Sequence, residues 1–129
     1  MSARDDIPNF LRKQTLPEDG AARKGIPMAA GCLYYFPDAL AEVARLSRLG
    51  NDKHNPGQPL HWSRQKSSDH ADCIMRHLAD AGPAPHVGMD NTHAEPVLHA
   101  VEVAWRALAL AQLAIEEHRK REANGLASV

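Results

Sequence analysis

The sequence predicts an all-α protein, a small helical bundle of three to four helices with an extended N-terminal arm, assembled as a homo-oligomer. Three observations lead there. Apolar residues recur at helical spacing in three separate segments, opened by Pro or a small polar residue and, in two cases, closed at a Gly. Aromatic residues supply only 5% of the chain, so alanine carries much of the apolar content and the core is expected to be thin. The longest segment is apolar over a wider face than one neighbour covers, and a second copy of the chain is the expected cover. The 129 residues suit one hydrophobic core, which normally organises about 100–200 residues.

Residues 1–36 are rich in Gly, Pro and charge and lack sustained periodicity, which predicts the extended arm. Its apolar patch, Leu33-Tyr34-Tyr35-Phe36, is expected to dock on the helical body. The first helix opens at Pro37-Asp38, where proline suits the first turn and an acid satisfies free N–H groups, and it ends near Gly50-Asn51. Leu40, Val43, Ala44 and Leu46 to Leu49 form its inward stripe. A polar connection runs from Asn51 to Lys66. Ser67-Ser68 caps the second helix, with Ala71, Ile74, Met75, Leu78 and Ala81 turned inward and Gly82-Pro83 as its stop. After a loop over Pro83 to Thr92, Pro96 enters the first turn of the longest helix. Val97, Val101, Ala104, Leu108, Ala111 and Ile115 form its seam, flanked by Val103, Ala107, Leu110 and Ala114. From Glu116 the sequence turns polar and is expected to fray. The organisation read from this is an arm over 1–21, a helical domain over 22–116 and a polar tail over 117–129.

Fifteen Lys+Arg against sixteen Asp+Glu give a net charge of −1, so no global positive field attracts duplex nucleic acid or an anionic membrane. No apolar run approaches the roughly 20 residues of a membrane span. The two cysteines, Cys32 and Cys73, follow no secretory-type leader and read as free thiols of a reducing cytoplasm. The P-loop, G-x-G-x-x-G, G-x-S-x-G and H-E-x-x-H signatures are absent.

On the second helix Asp69, Asp72, Arg76 and Asp80 fall in one narrow sector. Clustered carboxylates favour Mg²⁺ or Mn²⁺, hard ions that bridge to substrate phosphates, although an Asp72–Arg76 pair on a solvated face explains the same spacing. His70, Cys73 and His77 share the adjoining sector and have zinc-ligand atom types, against the plainer reading of structural histidines. His99, Glu102 and Arg106 share one side of the long helix. Buried beside the Asp69/Asp72 face they form a mixed pocket, and exposed they form an ordinary helical support. The connection holding Lys53, His54, His61, Trp62 and Arg64 offers cations and an indole, either for a nucleotide's phosphates and base or as an anchor for a long loop.

The order R-K-G-I-P (23–27), F-P-D-A-L-A-E-V-A (36–44), L-G-N-D-K-H-N (49–55), W-S-R (62–64), D-x-x-x-R-H-L (72–78) and H-A-V-E-V-A-W-R-A-L-A-L (99–110) resembles the phage dATP/dGTP diphosphohydrolase N-terminal-domain proteins over residues 22–116. The resemblance implies an all-α fold and hydrolysis of (deoxy)nucleoside triphosphates to monophosphate and pyrophosphate, in the manner of MazG-like enzymes. It implies a divalent ion, Mg²⁺ or Mn²⁺, and the host cytoplasm as location if the protein is phage-encoded. Matched residue by residue, Lys24, Lys53, Trp62, Arg76 and His77 become substrate-binding groups, and Glu42, Asp72 and His99 catalytic ones. Glu42 and Asp72, with neighbouring Asp69, become the metal ligands. Where MazG-like enzymes show E-E-x-x-E, the first helix here has Glu42 alone. That departure motivates a second reading, a non-catalytic nucleotide-binding protein sequestering a host nucleotide immune signal. Either way the expected partner is a nucleotide or nucleotide-derived small molecule.

Overall fold

Pro37 at the first turn and Asp38 beside it start a helix at the expected place, and it runs over Pro37–His54. The computed structural model describes residues 15–65 and 68–125 and divides the chain into two compact units, Met1–Trp62 and Ser63–Val129. In the first unit, helix α1 spans Gly20–Lys24, a five-residue π-helical turn spans Ala29–Leu33, and α2 is the helix Pro37–His54. The expected extended arm is thus helical in turns where it is described. Asp19 caps α1, its Oδ2 accepting from the Ala22 N–H at 2.9 Å. Among the described residues the apolar patch is exposed, Tyr34 by 69% and Tyr35 by 70%. The π turn winds into these residues, with Tyr34 N donating to Ala29 O at 2.8 Å, so their side chains radiate outward; Tyr35 and Phe36 pack edge to face.

Helix α2 passes the predicted stop at Gly50-Asn51, because Gly50 keeps a negative φ and Asn51 is buried inside the helix. The Asn51 Nδ2 donates to Gln58 O at 2.9 Å, which folds the following loop back on the last turn. Leu46 and Leu49 are buried as the periodicity requires, whereas Ala44 is exposed.

The second unit contains α3 (His70–Ala81), β1 (Met89–Asp90), β2 (Val97–Leu98) and α4 (His99–Ala123). The described residues are therefore mostly helical, with one small two-stranded antiparallel sheet that the sequence did not predict, pairing Met89 with Leu98 and Asp90 with Val97. Two-residue strands are too short to leave a periodic signal. Pro96 accordingly precedes a strand and not a helix, and Val97 behind it is fully buried. The N-cap of α3 differs as well, whereas its stop is the expected one. Asp69 is its N-cap residue, Ser67 lies outside the described residues, and Gly82 ends the helix at φ 73°, a conformation that favours glycine.

The buried stripe of α3 is His70, Cys73 and, half-buried, Ile74 and His77; Met75 and Leu78, expected inward, are 66% and 42% exposed. The reason lies on α4, whose facing side presents Glu102 and Arg106 to the imidazoles. Helix α4 also continues past Glu116 to Ala123. Side-chain pairs support it where apolar residues end: Gln112 Nε2 donates to Glu116 at 2.7 Å, and Arg121 Nε donates to Glu117 at 3.1 Å. Among the described residues no helix is long and apolar enough to cross a membrane.

Candidate metal centre

His77 lies two turns into α3, and His99 and Glu102 occupy the first turn of α4, three residues apart and on one face. Asp90 comes from β1. Its strand pairs with β2, the two residues just before α4, so the sheet brings Asp90 to the helix start. The loop that returns from α3 to β1 can do this because residue 88 is glycine: a Cβ there would lie 2.7 Å from the Ala81 Cα. Gly88 O then accepts from the His99 N–H at 3.0 Å, tying the loop to the first residue of α4.

One ligand-type atom from each of His77, Asp90, His99 and Glu102 lies within 4.8 Å of the other three. The Nδ1 atoms of His77 and His99 face each other at 3.0 Å. Glu102 Oε2 stands 2.5 Å from His77 Nδ1 and 3.7 Å from His99 Nδ1. On its other side Glu102 Oε1 is 3.5 Å from His93 Nε2. His99 and Glu102 are only 7% and 3% exposed, so these groups meet away from bulk water.

The electrostatics of the group follow from that burial. His77 is held below its ordinary value near 6.5, first by burial and then by the neighbouring His99, with Arg106 adding to the effect and Asp90 and Asp80 opposing it. It is thus disposed to be a neutral imidazole, the form that binds metals. Burial pushes the Asp90 carboxyl up, but hydrogen bonds with Glu102 and with Thr92, together with nearby His93, outweigh it and hold Asp90 well below the usual carboxylate range. The Thr92 N–H donates to Asp90 Oδ1 at 2.9 Å. Two imidazole nitrogens and two carboxylates converging on one point are a donor set that fits a divalent cation.

The remaining sequence-derived candidates stand as follows. Asp69 is exposed and accepts from Arg76 Nη2 at 3.0 Å; that pair holds the Asp69 carboxyl below its ordinary value. Asp72 is exposed on the same helix. Glu42 pairs with Arg45 at 2.7 Å, Lys24 and Lys53 are exposed in the last turns of α1 and α2, and Trp62 is half-buried; these four belong to the first unit. His70 and Cys73 do not join His77: His70 Nδ1 is 3.2 Å from Arg106 Nη1, and Arg76 Nη2 is 3.2 Å from the Cys73 sulfur. The side of α4 bearing His99, Glu102 and Arg106 does face α3, meeting His77 and His70.

Sequence reasoning missed Asp90 and His93 and noticed Glu102 without assigning it a ligand role. Asp90 sits in a segment that reads as a Gly/Pro/Asn loop, and only the β1–β2 pairing gives it a place. The i, i+3 spacing of His99 and Glu102 was the available signal.

The family model described as dATP/dGTP diphosphohydrolase, N-terminal, matches residues 18–123. No curated protein and no solved structure matches the chain.

Proposed function

From the premise that the chain belongs to the dATP/dGTP diphosphohydrolase N-terminal family, we propose that it is a metal-dependent hydrolase of (deoxy)nucleoside triphosphates. Water adds across the bridge between the α and β phosphates, giving a nucleoside monophosphate and pyrophosphate. The observation that carries this reading is the convergence of His77, Asp90, His99 and Glu102, a donor set able to hold a cation, in a family named for dATP/dGTP diphosphohydrolysis. When bound there, a divalent ion supplies concentrated positive charge for phosphoryl oxygens, the requirement of phosphoanhydride cleavage.

In this reading His77 and His99 hold the ion, and Asp90 and Glu102 balance its charge. His93, against the far oxygen of Glu102, fixes that carboxylate's orientation. Arg76, exposed on α3, contributes a guanidinium suited to phosphate oxygens. Lys24, Lys53 and Trp62 keep the nucleotide-binding roles that the resemblance implies. Glu42, Asp69 and Asp72 keep the Mg²⁺- or Mn²⁺-binding roles that it implies.

The test is incubation of the full chain with each dNTP in the presence, separately, of Mg²⁺, Mn²⁺, Co²⁺ or Zn²⁺, with products separated chromatographically. Monophosphate and pyrophosphate in equal amounts, formed fastest from dATP or dGTP, are expected. No monophosphate from any nucleotide overturns the hydrolase reading, and tight metal-independent binding of unchanged ligand would replace it with the nucleotide-sequestering one.

A further inference from the structure

We infer that the group formed by His77, Asp90, His99 and Glu102 is a site for a first-row transition-metal dication, with Zn²⁺ and Co²⁺ strongly preferred over Mg²⁺. The inference concerns the same site as the functional reading and rests on it for location, but not on nucleotide hydrolysis. Its first ground is the donor chemistry. Mg²⁺ seeks near-octahedral oxygen and keeps much of its water, and imidazole nitrogen is a poor exchange for that water. Nitrogen donors suit Zn, Co, Fe and Ni, and affinity for a mixed N/O site rises from Mn²⁺ through Co²⁺, with Zn²⁺ also above Mn²⁺.

The second ground is geometry. Atoms bound to one ion at about 2.0–2.1 Å are separated from adjacent ligands by roughly 3 Å. The two Nδ1 atoms stand 3.0 Å apart and the His99 Nδ1–Glu102 Oε2 distance is 3.7 Å. At that spacing the two Nδ1 atoms can share a proton in a hydrogen bond or take a cation between them. The histidines sit on different helices, so their approach is not a by-product of local spacing.

The third ground is burial. Glu102, 3% exposed, lies against His77 and His93, and in so dry a setting a dication's attraction for its carboxylate is strong. The mixed set also explains why the exposed acids of α3 are not needed for this site: Asp69 is already engaged by Arg76, on the solvent side of the helix.

The test uses the full chain, stripped with a chelator and titrated separately with Zn²⁺, Co²⁺, Mn²⁺ and Mg²⁺ while heat and visible absorption are recorded. One ion per chain is expected, with visible Co²⁺ bands and Zn²⁺ binding at least ~100-fold tighter than Mg²⁺. His77→Ala should abolish the Co²⁺ bands, whereas His118→Ala, a histidine on the exposed part of α4, should retain them. Glu102→Gln gives a second reading if His77→Ala fails to fold, as judged by far-ultraviolet circular dichroism, and it should weaken Co²⁺ binding at least ~10-fold. Equal affinity for Mg²⁺ and Zn²⁺ overturns the inference. So does a thiolate charge-transfer band from bound Co²⁺, which would place the ion on Cys73. A chain that binds Zn²⁺ as described yet leaves every dNTP intact sustains this inference and defeats the hydrolase reading alone.

Discussion

The Nδ1 atoms of His77 and His99 lie 3.0 Å apart across the contact between α3 and α4, with Glu102 Oε2 against the first of them. In the proposed metal-bound form, the packing of the two helices and the binding of the ion are coupled. A cation that binds the folded chain adds about 2.7 kcal/mol of stability at 100 times its Kd. The melting temperature of the chelator-stripped protein should therefore rise on adding Zn²⁺, and His99→Ala should remove that rise. An unchanged rise in the variant would separate metal binding from the helix contact.

The acid response follows from His77. Its pKa in the folded chain is below the ordinary value near 6.5, because burial and His99 disfavour the charged ring. As pH falls, the unfolded chain takes up this proton first, so stability of the metal-free protein declines below about pH 6.5 and continues to decline until the folded form also protonates. Comparing urea midpoints at about pH 7.5 and about pH 5.5 should give a smaller drop for His77→Gln than for the wild type. Equal drops would assign the acid sensitivity to other groups.

Gly88 sets the return from α3 to β1. A methyl group there would sit 2.7 Å from the Ala81 Cα and 2.9 Å from the Ala81 carbonyl oxygen, and backbone atoms cannot simply swing aside. Gly88→Ala should cost about 1–3 kcal/mol in urea denaturation. Because Gly88 O accepts from the His99 N–H, the variant should also bind Co²⁺ more weakly. Wild-type stability in this variant would show that the close approach is not required.

Arg64 and Glu116 form an ion pair with both side chains 13% exposed: Arg64 Nη1 lies 2.6 and 2.8 Å from the two carboxylate oxygens. Gln112 donates to the same carboxylate. Removing Glu116 takes a carboxylate away from a guanidinium 13% exposed, so Glu116→Ala should cost on the order of 3 kcal/mol, and Arg64→Met combined with Glu116→Leu should recover a large part of it. Denaturation of Arg64→Met, of Glu116→Leu and of the double variant measures the coupling. Strict additivity would mean that the pair contributes no interaction of its own.

The apolar seam begins buried at Val97 of β2 and Val101 of α4 and continues along α4 as exposed Leu108 and Ile115, with Leu110 on its flank. Self-association through that continuation is the expected outcome, and native mass spectrometry should find multiples of 14.1 kDa. Leu108→Lys with Ile115→Lys should shift the population to the single chain. A wild-type protein that is already monomeric at micromolar concentration would contradict this.

The amino-acid order by itself determined the three long helices, though not all of their ends. Pro37-Asp38 and Gly82 act through local backbone geometry, and the spacing of Leu46, Leu49 and Val101 reports a buried face without reference to any distant residue. The family was legible too, because short motifs in a fixed order are a property of the chain alone. What only the tertiary structure decided was which polar residues meet. Asp90 acquires its neighbours through a strand pair of two residues, and α3 turns His77 inward and Leu78 outward because Glu102 and Arg106 wait on the opposing helix. Local spacing fixes the side of a helix on which a residue stands. The partner it finds there depends on a segment far away in sequence, and on the burial that makes the meeting of charges and lone pairs energetically decisive.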